Sequence, residues 1–540
     1  MAQDIIIKNT KVIDGRGSPS FLSDIAVKSG RISKISPKIN DEAEKIIDGT
    51  DLVASPGFID MHSHSDYIIS VVAKAESFIR QGITTCTIGM CGDGLAPIPP
   101  DRVEDAKKLL MTISPLLEHI NISWNTFAEY LSYLDARKCP INLVPCVGYN
   151  NIRIAGGAGF EDRDPTPNEL EKMKEYLKEA MIAGAFGMST GLIYAPQVYV
   201  KTEELIQLSK VLADYNGIYF SHIRGEGKNL LNAIKEFIEI VEKSGCNGGQ
   251  ISHKKVAGKR FWGSSKESLH LIEEANSRGL KITYDQYPYN RGMTSLKTLL
   301  PPWVHEGGKE KLLERIKDLG CQEKIKKDTE KGLPGWENFI HVGGFESVFI
   351  SGVSNPKWKD IEGKNIVEIT KIKGKKDEWE TIFNILIDEE TGGSITLESM
   401  SEEDIRRIMV NQYQMFGTDG AAIPNIPTLG KFHPRFYGTY PRVLGKYVRK
   451  EKVLTLEDAI RRMTSFPAQK LGLPDRGLIE EGRRADIVLF NPNTVIDKAT
   501  FEDPHQFPEG IPHVVVNGIV VVENNKQLRK YPGEVLRRPI

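Results

Sequence analysis

Residues 57–67 read GFIDMHSHSDY, an apolar run that ends on two histidines, His62 and His64, with only Ser63 between them. On an extended segment residues i and i+2 project the same way, so the two imidazoles share a face. Neutral imidazole is the commonest protein ligand for metals. Four other stretches end an apolar run on a residue of kindred chemistry: GMCGDG with Cys91, FSHIRGEG with His222, ISHKKVAG with His253 and FGTDG with Asp419. Imidazole, thiolate and carboxylate together suit Zn2+. Six candidate ligands are too many for one tetrahedral centre, so the sequence predicts either two metals or one occupied site beside a weak one. His119, His270, His305, His341, His505 and His513 lack this placement and read as structural or surface residues, and Cys86 reads as a small buried hydrophobe. Asp60 and Asp66, on either side of the histidine pair, read as groups that steady the ligands.

The elements that must carry these residues alternate along the middle of the chain. NELEKMKEYLKEAMIAG places Leu170, Met173, Leu177, Ala180 and Met181 on one helical face, and NLLNAIKEFIEIVEKSG does the same with Leu230, Ile234, Phe237, Ile238 and Val241. Each is followed by a short apolar run, the alternation of a parallel sheet. Eight such runs are present: LVASPGFIDMHSH, ITTCTIGMCG, INLVPCVGYN, AFGMSTG, GIYFSH, GQISH, LKITYDQYPY and QMFGTD. Eight βα units predict an α/β fold, a (β/α)8 TIM-like barrel, whose catalytic groups gather at the C-terminal ends of the strands. The candidate ligands stand at those ends. Residues 288–395, between the seventh and eighth strands, form an insertion too long for one helix and read as lid-like.

Both termini are β-rich. DIIIKNTKVID, DIAVKSGRISKI and EKIIDGTDLVAS open the chain, and GLIEEGRRADIVLFNP and HVVVNGIVVVE close it. Neither end has the apolar surface to stand alone, so one small β-sandwich domain is expected from residues 1–54 and 471–540, with the barrel at 55–470 between them.

Lys plus Arg is 71 and Asp plus Glu is 72 in 540 residues, a formal charge of −1 that gives no footing for nucleic acid or an anionic membrane surface. MAQDIIIKNTKVID lacks the shape of a signal peptide, and no stretch approaches the roughly 18 apolar residues of a membrane helix. Six cysteines in so long a chain do not make a disulfide framework, which points to a reducing cytoplasm.

GFIDMHSHSD, GMCGDGLAPI, STGLIYAP, SHIRGEG, SHKKVAG, DQYPY, LPPWV, FGTDG, HPRFYGTYPRVLG and ADIVLFNP together resemble the D-aminoacylases, the N-acyl-D-amino-acid deacylases of the amidohydrolase superfamily. The resemblance runs from residue 1 to beyond 530 and is loose only over about 320 to 395. It implies zinc-dependent hydrolysis of the amide bond of a small N-acyl-D-amino acid, and it leaves room for a homo-oligomer. It implies one metal position held by His62, His64 and Asp419, a second held by His222 and His253, and Cys91 as the bridge where many relatives use a carboxylated lysine. It implies that the zinc at Cys91, His222 and His253 is the tight one. Asp419 becomes the general base towards a metal-activated water and then the acid towards the leaving amine. Lys255, Arg435 and Tyr287 match positions for the substrate carboxylate, and Tyr194 matches another substrate contact. Met400 matches a pocket position and hints at an apolar side chain. An Arg224–Glu226 pair is expected in SHIRGEG. The chain departs from the family at GTDGAAIPNIP, where many members read G-S-D-G-L-P-H-D.

Two other readings compete. A cyclic-amide hydrolase of the dihydroorotase or hydantoinase kind shares the barrel and the His-x-His, but AFGMSTG offers no lysine to carboxylate. A non-catalytic scaffold on the same fold would be expected to lose ligands, and all six are present.

Overall fold

The computed structural model describes residues 2–113, 120–426 and 430–539; His119 lies outside them. Eight parallel strands form a closed (β/α)8 barrel: β1 (Phe58–Asp60), β2 (Ile83–Ile88), β3 (Asn142–Pro145, continued by Val147–Gly148), β4 (Gly187–Gly191), β5 (Ile218–His222), β6 (Gly249–Ile251), β7 (Ile282–Gln286) and β8 (Gln414–Phe416). β3 changes partners at Cys146: its first half pairs with β2 and its second with β4. The ring closes between β1 and β8, where Met61 N donates to Phe416 O at 3.3 Å. Every residue of these strands is buried, as a parallel sheet covered on both faces requires. The covering helices follow the predicted faces. Pro167–Ala183 starts on a Thr166–Glu169 capping box, stops at Gly184 and buries Met173, Leu177, Ala180 and Met181. Leu230–Ser244 stops at Gly245, which has a φ of 68°.

LVASPGFIDMHSH is not one barrel strand. Val53–Pro56 belongs to a nine-stranded terminal sheet, pairing with Gln3–Val12 and antiparallel with Ile487–Phe490, and the chain enters the barrel only after Gly57. A Cβ at Gly57 would stand 2.1 Å from Thr84 Oγ1, so only glycine lets the chain cross between the sheets there. The terminal sheet unites both ends of the chain, with Phe21–Lys28, Arg31–Ser36 and Ala43–Asp48 on one side and His513–Val516, Ile519–Glu523 and Lys526–Gln527 on the other. Strand alternation gives it two faces. Ile487, Leu489 and Val515 pack with Ile5, Ile7, Ile25 and Val27, whereas Val488, Phe490, Val514 and Val516 join the apolar cluster of the barrel.

The insertion between β7 and β8 is a folded unit. Arg291–Ser295, Val348–Gly352 and Ser394–Glu398 form an antiparallel sheet. Its helices close over a separate core that includes Leu299, Ile316, Ile350, Trp358, Ile382 and Ile395. Among the described residues no helix is long and apolar enough to cross a membrane.

Candidate metal centre

All six candidate ligands converge at the C-terminal end of the barrel. Beyond Asp60 the chain runs on beside the segment after β8: Asp419 N donates to His62 O at 2.8 Å and His64 N to Gly420 O at 2.7 Å. Asp60 locks this seam by accepting from Thr418 N (2.8 Å), Thr418 Oγ1 (2.6 Å) and His62 N (3.1 Å). Cys91 stands on the loop after β2, clamped from β4 and the turn beyond it: Gly92 N donates to Ser189 Oγ at 2.9 Å and Gln197 Nε2 to Cys91 O at 3.0 Å. His222 ends β5. His253 follows β6, its N–H held by Asp285 Oδ1 at 2.8 Å.

The Cys91 sulfur lies 3.4 Å from His62 Nε2, 3.7 Å from His253 Nε2 and 4.0 Å from His222 Nδ1. Asp419 Oδ1 is 3.5 Å from His62 Nε2 and 3.3 Å from His64 Nε2. Three sets each bring one ligand atom within 4.8 Å of the others: His62, Cys91 and His253; His62, His64 and Asp419; His222, Glu226 and His253. Cys91 thus sits between the Asp419 group and the His222–His253 group, and it is nearer His62 than His222. Cys91, His253 and Asp419 have φ of 56°, 35° and 48°. Left-handed backbone at non-glycine residues costs about 1–3 kcal/mol each and collects at functional sites, and here three donors share it.

The donor chemistry fits zinc. Burial is the largest cause lowering the His62 and His222 imidazoles well below their ordinary range, so both are neutral and present lone pairs. His222 Nε2 is buried with no hydrogen-bond partner, a donor atom unspent on the protein. Burial, followed by Asp419 and Asp93, pushes the Cys91 thiol well above its usual range; a cation among these groups is what would make it a thiolate. For Asp419 burial acts upward, but Arg435 and then His253 outweigh it and hold the carboxyl well below its ordinary value. Glu226 Oε1 is 3.1 Å from His253 Nδ1. Lys255 Nζ lies 2.7 Å from the same nitrogen, so Nδ1 is engaged by the Glu226–Lys255 pair and Nε2 is left to face Cys91, with an outer partner that orients the imidazole as outer partners orient metal-binding histidines.

A cavity of about 1040 Å³ opens over this cluster. Its walls include His64, Cys91, His222, His253 and Asp419 together with Lys255, Arg435, Tyr287 and Tyr194. His62 lies beneath it, fully buried. The two cations expected at a substrate carboxylate are already paired, Lys255 Nζ with Glu226 Oε1 at 2.5 Å and Arg435 Nη1 with Asp419 Oδ2 at 2.7 Å. Both overlie the Tyr287 ring, at 5.6 and 4.7 Å from its centroid. Tyr194 accepts from Thr294 Oγ1 of the insertion at 3.3 Å, and its ring meets His222 edge-on.

Three expectations are corrected. Arg224 does not pair with Glu226. It binds Glu236 (2.9 Å) and the Val198 and Val200 carbonyls, because Glu226 is turned inward onto Lys255 and His253. Met400 faces a small void beside Lys254 and Tyr287 rather than the large cavity. His305, read as structural or surface, is among the residues of the cavity wall.

Asp285 and Glu226 are the contributors that the sequence reading missed or misassigned. Asp285 sits in DQYPY, where the tyrosines drew attention; its signal was an acid at the C-terminal end of a buried strand. His433 is another: its Nδ1 accepts from Arg435 N at 3.0 Å and its Nε2 is 2.9 Å from Arg291 O of the insertion.

A closed barrel that carries a His-x-His pair, later histidines and an aspartate at its C-terminal mouth is the architecture of the amidohydrolases. The amidohydrolase family profile matches residues 378–522. The D-aminoacylase of Alcaligenes xylosoxydans xylosoxydans is 31% identical over 539 residues, 99% of this chain and 98% of that protein. The structure of N-acyl-D-glutamate deacylase from Bordetella bronchiseptica, complexed with zinc and a phosphonate mimic of the tetrahedral intermediate, superposes with a TM-score of 0.83 at 29% identity, over 99% of this chain and 100% of that one. A D-aminoacylase structure described by its binuclear metal centre, with one-metal activation and second-metal attenuation, matches with a TM-score of 0.81 at 31% identity, again over 99% and 100%. The chain belongs to the D-aminoacylase, or N-acyl-D-amino-acid deacylase, family of amidohydrolases.

Proposed function

We propose that this protein is a zinc-dependent hydrolase that cleaves the amide bond of N-acyl-D-amino acids, giving a carboxylate and a D-amino acid. The observation that carries this reading is the Cys91 sulfur within 4.0 Å of nitrogens on His62, His253 and His222, beside an Asp419 that touches the His62–His64 pair and Arg435. His62, His64 and Asp419 would hold one metal, His222 and His253 the other, and Cys91 would bridge them, the Cys91–His222–His253 position being the tight one. Zinc bound there supplies Lewis-acid polarisation of the amide carbonyl and brings the pKa of water towards neutrality.

The chain's own groups do the rest. Asp419 takes the proton of the attacking water on a carboxylate oxygen and returns it to the amide nitrogen as the C–N bond breaks, so that a neutral amine departs. Arg435 and the imidazoles keep Asp419 ionised and ready to receive that proton. The substrate carboxylate binds between Lys255 and Arg435, with the Tyr287 hydroxyl as a further donor; planar guanidinium suits a bidentate carboxylate. Tyr194, in the cavity wall with its ring edge-on to His222, is a further substrate contact. The barrel, which begins at Phe58, carries the chemistry, and the terminal sheet, which includes Val53–Pro56, braces it. All six cysteines are free, in keeping with a cytoplasmic setting.

The test is hydrolysis of N-acetyl-D-methionine, N-acetyl-D-glutamate, their L-enantiomers and a 5-substituted hydantoin, with and without added zinc. Zinc-dependent release of a D-amino acid supports the reading. Turnover of the hydantoin alone, or of none of the panel, refutes it.

A further inference from the structure

Glu226 organises one side of the metal centre: its carboxylate lies 2.5 Å from Lys255 Nζ, 3.1 Å from His253 Nδ1 and 3.7 Å from His222 Nε2. What holds Glu226 comes from outside the barrel. Glu337, in the insertion between helices Leu319–Lys331 and Phe339–Gly343, reaches back and accepts from Glu226 N at 2.9 Å and from Gly227 N at 3.5 Å. It is only 6% exposed. On the other side Ala257 N donates to Glu226 O at 2.8 Å, so the loop is gripped from both directions.

The sequence around Glu226 is cut to admit this carboxylate. A Cβ at Gly225 would stand 2.9 Å from both Glu337 Oε2 and Asn229 Cβ, and one at Gly227 would stand 2.8 Å from both Glu337 Oε1 and Ala257 O. Neither glycine has a positive φ, so what they provide here is space rather than an unusual backbone. Glu337 is itself presented rigidly. Its neighbour Asn338 accepts from Ile340 N and His341 N and donates to Thr329 O at 2.7 Å.

We infer that Glu337 is a positioning residue: from the insertion it fixes the Glu226 loop through two backbone N–H groups, and through Glu226 it sets the orientation of His253 and Lys255. This rests on the metal and substrate reading given above. It makes the insertion a working part of the centre, since a barrel without a docked insertion lacks the acceptor that Glu226 N needs.

The experiment uses the full-length chain as wild type, E337A, E337Q and G225A. Zinc affinity is read by competition with a chromogenic chelator, and kcat and KM are read on N-acetyl-D-methionine and N-acetyl-D-glutamate. Loss of an outer partner of a metal-binding histidine weakens metal binding by about 10–100-fold; Glu337 acts one contact further out, through Glu226, so E337A is expected at the low end, about tenfold, with KM raised through Lys255. E337Q keeps an oxygen for the same N–H groups and is expected within about threefold of wild type on both readouts. E337A with wild-type zinc affinity overturns the inference, as does E337Q as impaired as E337A. If E337A shows no cooperative melt, G225A decides: it keeps the carboxylate but sets a methyl against it, and weakened zinc binding supports the inference whereas wild-type affinity refutes it. A wild type that binds zinc but hydrolyses neither substrate fails the functional reading alone, because the zinc competition still judges Glu337.

Discussion

Asp419→Asn isolates the proton-transfer step. The residue is 8% exposed and its side chain makes three polar contacts: Arg435 Nη1 at 2.7 Å, His64 Nε2 at 3.3 Å and His62 Nε2 at 3.5 Å. Asparagine fills the same volume and leaves one oxygen for Arg435, but it cannot take a proton from water or pass one to the amide nitrogen. A positioned general acid–base contributes about 10²–10⁴ in rate, or roughly 3–5 kcal/mol at 1.36 kcal/mol per decade. The kcat for N-acetyl-D-methionine should fall by at least two decades. Cys91, His222 and His253 are untouched, so the purified variant should still carry at least one zinc, measured by atomic spectroscopy. The substitution also leaves the buried Arg435 without a full counter-charge, so a lower melting temperature is expected and has to be separated from the kinetic loss by assaying well below the melt. Turnover within a few-fold of wild type would show that another group moves the proton. Loss of all zinc would show that Asp419 belongs to the tight site rather than beside it.

Cys91→Ala should remove the atom shared by the two ligand groups: bound zinc should fall below one per chain and activity should fall with it, and a variant retaining full zinc would refute the bridging role. Asp486→Ala should destabilise the junction of the terminal sheet by about 3 kcal/mol, the low end for breaking a buried pair, since it removes one of the two carboxylates on buried Arg476 (Glu534 remains at 3.2 Å) and the acceptor of Asn517 N (2.7 Å); guanidinium unfolding reads this, and a loss under about 1 kcal/mol would contradict the burial of that pair. Thiol titration of the native protein with a disulfide reagent should give one fast group, Cys321, against six after denaturation, because the other five cysteines are buried and burial pushes Cys139 up to about 12; a second fast thiol would place another cysteine at the surface.

The metal ligands were legible because the barrel imposes a rule on position: each of them ends or closely follows a strand, and that end of the barrel is where its chemistry lies. The same rule misled at LVASPGFIDMHSH, where apolar continuity ran through Pro56-Gly57 although the chain changes sheets there. The groups that aim the ligands follow no such rule. Asp285 acts on a histidine 32 residues earlier in the chain, and Glu337 on a loop 111 residues earlier. Each is one acid among 72 in the sequence, and only the folded insertion brings Glu337 to its target. Arg224 and Glu226 show the local limit of spacing. Two residues apart in a loop, they looked like a pair, yet Glu226 enters the site and Arg224 leaves it for Glu236, while Gly225 and Gly227 leave the space in which Glu337 reaches the loop. The glycines were visible in SHIRGEG from the start, and they mark an approach by another part of the chain: a carboxylate needs room on both sides of the N–H groups it binds.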